Sequence, residues 1–111
     1  MNEFILLIKG DGNFEFSKEE IAIRRKKYEK WMEEQLEKGS YVWGQPLKPE
    51  GLHLLSKQEL VSDGPFLEPK EMIGGIIIIR AINFVEAKKI ALSCPLLDEF
   101  EIFLRPASME M

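Results

Sequence analysis

Two residue types that organise many small proteins are nearly missing: the sequence holds one cysteine, Cys94, and one histidine, His53. A single thiol cannot close a disulfide within the chain. One Cys with one His cannot build a thiolate–imidazole zinc cage either. The lone thiol fits a reducing, cytoplasmic compartment. Positive charge is also short, with 15 Lys and Arg against 19 Asp and Glu and a net charge of −4. That balance argues against a nucleic-acid surface or an anionic membrane surface, both of which need excess Lys and Arg. Long apolar runs are lacking too. Phe4–Ile8 follows Glu3 and is too short for a signal-peptide core, and Met72–Ile79 is far below a membrane span. No GxGxxG, P-loop, HExxH, GxSxG or CxxC pattern occurs, so no cofactor is implied.

What is present reads as one globular domain over residues 1–111, with 45% apolar and 31% charged residues. A chain of this size hides roughly 65% of its unfolded surface and needs no covalent staple. Phe4–Ile8 is a strand closed by Lys9-Gly10-Asp11-Gly12-Asn13. Ser17-Lys18-Glu19-Glu20 is a capping box, opening a helix to Lys38 that Gly39 stops. Ile21, Tyr28, Trp31, Met32 and Leu36 fall on one side of that helix. Its Arg24–Lys27 run is followed by Glu29, Glu33, Glu34 and Glu37, a solvated face on which Arg25–Glu29 and Glu34–Lys38 are spaced to pair. Tyr41–Trp43 is a second strand. Leu52–Leu55 and Gln58–Val61 suit a small hairpin. Ile76–Arg80 is a strand, Asn83 caps a second helix ended by Pro95, and Glu99–Arg105 is the final strand. Phe84, Ala87, Ile90, Ala91 and Cys94 give that second helix its packed stripe.

This order predicts an α+β, ferredoxin-like sandwich, an antiparallel sheet with both helices on one face. The strands at 4–8 and 76–79 are apolar at every position, so the second face also needs cover. The economical cover is a second copy, which predicts a homodimer with sheets packed face to face.

One stretch concentrates groups able to do chemistry: Asp63-Gly64-Pro65-Phe66-Leu67-Glu68-Pro69-Lys70-Glu71. Asp63 with Gly64 suits either a ligand-binding turn or an Asx-turn ahead of Pro65. Glu68, Lys70 and Glu71 suit either an acid, a base and a cationic anchor at a cavity mouth, or a solvated loop. His53 is the one imidazole, the side-chain type that, unperturbed, changes charge near neutrality, and it suits a dyad with Asp63 if the hairpin folds back. The alternative is a residue on one face of a short strand. Asp63, Glu68, Glu71 and His53 have the chemistry of divalent-ion ligands but match no standard spacing, so no metal site is assigned. Gly74-Gly75 is either a point of close approach or a bulge. Tyr28, Trp31 and Trp43 suit a pocket for a flat ligand or the core, and Trp43 beside Gly44 is the best pocket candidate. Cys94 near a helix C-terminus reads as buried packing, since the dipole there opposes a thiolate.

The Asp63-Gly64-Pro65-Phe66 motif, with Glu68, Lys70-Glu71 and Gly74-Gly75, resembles the DGPF subgroup of the YCII-related family. Leu6-Leu7-Ile8, Gly10-Asp11, Ser17–Glu20, Glu86-Ala87, Ala91, Cys94-Pro95 and Arg105-Pro106 extend the resemblance over nearly the whole chain. It implies a dimeric α/β barrel. Some members of that family carry a His-Asp pair. Counting back from Gly39 puts Tyr28 where that histidine belongs, so the resemblance does not carry the dyad over. Leu67 and Pro69 stand where the subgroup usually has Ala and Thr. Phe103 stands where it often has Glu, which removes a charged partner for Arg105.

Two functions follow as expectations. The first is a small-molecule-binding domain with acid/base activity. Asp63, Glu68, Lys70 and His53 are its candidate catalytic groups, and Gly64, Glu71, Arg105 and Trp43 its candidate ligand contacts. The second is a non-catalytic accessory or interaction protein, whose loop stabilises the homodimer.

Overall fold

A computed structural model describes residues 1–10, 14–58, 61–62 and 72–108, with the backbone alone at 53, 61 and 62. The elements are β1 (Asn2–Lys9), α1 (Lys18–Glu37), β2 (Tyr41–Pro46), β3 (His53–Leu54), β4 (Val61–Ser62), β5 (Ile73–Ala81), α2 (Phe84–Leu92), a one-turn 3-10 helix (Pro95–Asp98) and β6 (Glu101–Pro106). The main sheet runs β2-β5-β1-β6, with each neighbour antiparallel. Each helix joins strands that are not neighbours, so the fold is α+β and ferredoxin-like, as the element order predicts. β3 and β4 pair as a two-residue hairpin, with His53 opposite Ser62 and Leu54 opposite Val61, so its second strand lies at Val61–Ser62 and not at the expected Gln58–Val61.

The helix boundaries follow from local chemistry. The Ser17 hydroxyl accepts from the Glu20 N–H at 3.1 Å, and Glu20 Oε1 accepts from the Ser17 N–H at 3.2 Å, completing the capping box. Those bonds hold the Glu20 carboxyl below its ordinary pKa, chiefly through the backbone of Ser17. Gly39 has φ 76°, the left-handed conformation that ends the helix cheaply only in glycine. At α2, Asn83 Oδ1 accepts from the Glu86 N–H at 2.9 Å.

The sequence-predicted stripe of α1 needs correction. Trp31 and Gln35 are buried and Tyr28 and Met32 pack against the core, whereas Ile21 and Leu36 are exposed. The helix thus meets the sheet over little more than two turns, from Tyr28 to Gln35. The expected pairs Arg25–Glu29 and Glu34–Lys38 do not form among the described residues. Arg24 makes the helix's ion pairs instead, at 2.7 Å to Glu99 and 3.8 Å to Glu20, and lies 3.7 Å over the Phe16 ring. On α2, Ala87 and Ala91 are buried, and Phe84 is half-exposed with its ring edge-on to Phe4; Cys94, expected on the same stripe, is buried just past the helix, at the start of the 3-10 turn. Small side chains at 87 and 91 let α2 lie close to the sheet.

β1 and β5 alternate although their sequences do not. Phe4, Leu6 and Ile8 with Ile77, Ile79 and Ala81 are buried under the helices, while Ile5, Leu7, Ile76 and Ile78 lie on the opposite face and are only half-buried. An ordinary two-layer sandwich leaves that second face to polar side chains. Here it is apolar. The register of β1 against β5 passes from Ile8–Gly75 to Lys9–Ile73, so Gly74 is the extra residue of a bulge.

Candidate functional site

Beyond a Glu3–Arg80 ion pair of 3.6 Å at one end, the open face of the sheet carries three further cross-strand rows. Trp43, Ile78, Ile5 and Arg105 stand opposite one another on β2, β5, β1 and β6. Gln45, Ile76, Leu7 and Phe103 form the next row, and Lys9 with Glu101 begins a third. Trp43 and Phe103 are each 48% exposed, unusual for such large apolar groups. Lys9 Nζ lies 3.3 Å from Glu101 Oε2 and 5.8 Å from the Phe103 ring centre. Arg105 has no ion pair among the described residues, in keeping with Phe103 in place of an acid two residues earlier. β2 and β6 are the outer strands, so Trp43 and Arg105 are three strand spacings, about 14 Å, apart.

Of the sequence-predicted residues, Asp63, Gly64, Glu68, Lys70 and Glu71 lie outside the described residues. The structure describes what frames them. Ser62, the residue before Asp63, is paired with His53. Met72, the residue after Glu71, accepts at its carbonyl from the Gly10 N–H at 2.6 Å, and Gly74 accepts likewise from the Leu47 N–H at 2.8 Å. Met72 therefore joins the sheet at the end of β1 that carries Lys9. Arg105 pairs with Ile5, four residues back along β1, or about 13 Å. Sequence reasoning missed Lys9 at this end, though its two-residue spacing from Leu7 and Ile5 was a signal that it shares their face.

On the helix side, the Tyr28 and Tyr41 hydroxyls are 3.3 Å apart, and a side chain at Gly44 would run into both. Tyr28 stacks obliquely on Trp31, whose ring is edge-on to Tyr41. Burial, then the Tyr41 hydroxyl, pushes the Tyr28 phenol well above its ordinary pKa. Neutral phenols of this kind are hydrogen-bond donors, not bases, so Tyr28 does not substitute for an imidazole. Cys94 is 2% exposed, and burial pushes its thiol up to about 11, with nearby Asp98 adding to the rise. It is packing and not a nucleophile, with burial the dominant cause in place of the helix dipole. Among the described residues no His, Cys, Asp and Glu cluster suits a metal ion, and no helix is long and apolar enough to cross a membrane.

The family model for the YCII-related domain matches residues 3–105. No curated protein matches the sequence. Among solved structures, the chain is similar to the 5-chloro-2-hydroxyhydroquinone dehydrochlorinase of Burkholderia phenoliruptrix AC1100, solved in complex with 2,5-dihydroxybenzoquinone. The TM-score is 0.55 at 16% identity, over 96% of this chain and 93% of that one, a likeness of fold. With the family pattern running through nearly every element described above, this chain belongs to the YCII-related family.

Proposed function

We propose that the chain is a DGPF-type, single-domain, cytoplasmic protein that binds a small molecule and performs acid/base chemistry on it. It works as a homodimer whose sheets meet face to face in a dimeric α/β barrel. The observation that carries this reading is the open face. Trp43, Ile78 and Ile5 in one row and Ile76, Leu7 and Phe103 in the next leave an apolar surface on the side away from the helices. Such a surface spanning four strands needs a partner. Lys9 and Arg105 border it, giving cationic anchors where a cavity between two sheets would open. In this reading Asp63, Glu68, Lys70 and His53 move protons, and Gly64, Glu71, Arg105 and Trp43 contact the ligand. A flat, hydroxylated ring suits Trp43 and the cations together, one group from each end of the sheet being supplied by each chain.

The first probe is 2,5-dihydroxybenzoquinone, the compound held by the structurally similar dehydrochlorinase. Its binding is read by quenching of Trp43, since Trp31 is buried, and by a rise in melting temperature. The decisive variant is Asp63→Ala with Lys70→Ala. Under the proposal the dimer persists and the ligand-induced melting shift disappears. Loss of the dimer itself favours the second reading, a non-catalytic homodimeric interaction protein. No change in either property removes both.

A further inference from the structure

A concavity lies on the helix side of the molecule, in the groove between α1 and α2. It is a cleft of about 590 Å³, within the range of small-molecule sites. Lys27, Lys30, Lys38 and Lys89 line it, against Glu34 and Glu86. Positive charge therefore gathers there in a chain whose net charge is −4. None of the four ammonium groups has an ion pair among the described residues. Glu86 is partly engaged, since its Oε1 faces the Ile82 N–H at 3.4 Å.

The floor of the cleft sets polar groups among the apolar surfaces of Trp31, Ile90 and Pro95. Trp31 Nε1 donates to Ser93 Oγ at 2.8 Å, and Ser93 Oγ donates to the Ile90 carbonyl at 2.6 Å. Gln35 is 4% exposed, yet it lines the cleft. One end of its amide meets Ser40 Oγ at 2.6 Å; the other has no partner among the described residues. A buried, half-satisfied amide costs about 1–3 kcal/mol unless something answers it. Its place beneath four free lysines indicates what would.

We infer that the α1–α2 cleft binds a small phosphate-bearing anion, with Lys30 and Lys89 contributed by facing helices and Gln35 donating from the floor. Arg80 also lines the cleft, but its guanidinium is paired with Glu3 at 3.6 Å; the unpaired cations are all lysines, compact point charges that suit a highly charged phosphate. The site is separate from the sheet face and requires neither the dimer nor the Asp63–Glu71 stretch.

Calorimetric titration of the full chain with pyrophosphate tests it, with citrate as the carboxylate comparator. The expected result is saturable one-to-one binding of pyrophosphate, tighter than citrate. Lys30→Gln and Lys89→Gln should each weaken it about tenfold, the worth of one charge-assisted hydrogen bond. Lys26→Gln, on the same helix but outside the cleft, should change it less than about twofold. Gln35→Met, checked for retained melting temperature, should also weaken it. Absence of saturable binding, equal loss in Lys26→Gln and Lys30→Gln, or citrate binding as tightly as pyrophosphate overturns the assignment.

Discussion

The hydroxyls of Tyr28 and Tyr41 meet at 3.3 Å over Gly44, in space that any side chain at position 44 would occupy. This contact joins the helix layer to the edge strand β2, which otherwise has only β5 beside it in the sheet. Gly44→Ala must therefore displace the Tyr41 phenol. The expected cost is about 1–3 kcal/mol, the range for overpacking a closed site. Chemical denaturation of the purified variant measures it. Tyr41→Phe in the Gly44→Ala background should recover part of the loss, because the displaced hydroxyl is gone.

Stability should fall on the alkaline side through Cys94. Its folded pKa, about 11, lies above the ordinary value of 9.0. The unfolded chain therefore gives up its proton first. This share of stability is complete below about pH 9 and is lost as pH rises toward about 11, roughly 3 kcal/mol in all. Tyr28, also raised, adds in the same direction at still higher pH. Denaturation midpoints between pH 8 and pH 11, compared with Cys94→Ala, give the slope. Thiol labelling of the native chain should be slow and become fast in denaturant.

Ser17→Ala should cost about 1 kcal/mol by removing one half of the capping box. The depressed Glu20 pKa adds a pH signature. That contribution is present above the ordinary carboxylate pKa and fades as pH falls through the folded value. Glu20→Gln, which removes the titrating carboxyl, should thus flatten the acid limb of the stability curve, whereas Ser17→Ala keeps the backbone bond that causes most of the shift and should flatten it less. Melting temperatures of the parent chain and both variants between pH 3 and pH 7 check this.

Adjacent isoleucines of β5 should give opposite phenotypes. Ile77 is buried beneath the helices, and Ile78 faces the open side. Ile77→Asp buries an unpaired carboxylate and should unfold the chain. Ile78→Asp should leave a folded protein and abolish self-association. Circular dichroism separates the two, and light scattering reports the mass.

Much of the fold was legible because its signals are local. Ser17 with Glu20, Gly39 and Asn83 each fix a boundary through bonds made within four residues. The sheet needed one further step: runs such as Ile76–Ile79 hide their alternation, so their lack of a polar side revealed the unusual second face. What could not be read was set by tertiary contact. Ile21 and Leu36 fit the helical period of α1 but lie beyond the part of the helix that touches the sheet. Gln35, polar in sequence, is among the most buried residues of α1, because Ser40 folds back beneath it. The candidate site was only partly legible for the same reason. Trp43 and Arg105 were identified from residue type, yet their positions on opposite edges of one sheet follow from strand order. Lys9, an ordinary strand-end lysine in sequence, stands opposite Ile73, beside the Met72–Gly10 contact.

The central claim is that a second copy covers the open sheet face, and sedimentation equilibrium at micromolar concentration tests it most directly. The account predicts a species of twice the 12.9 kDa chain mass, reduced to the single-chain mass by Ile78→Asp. A wild-type chain sedimenting at 12.9 kDa across that concentration range contradicts it.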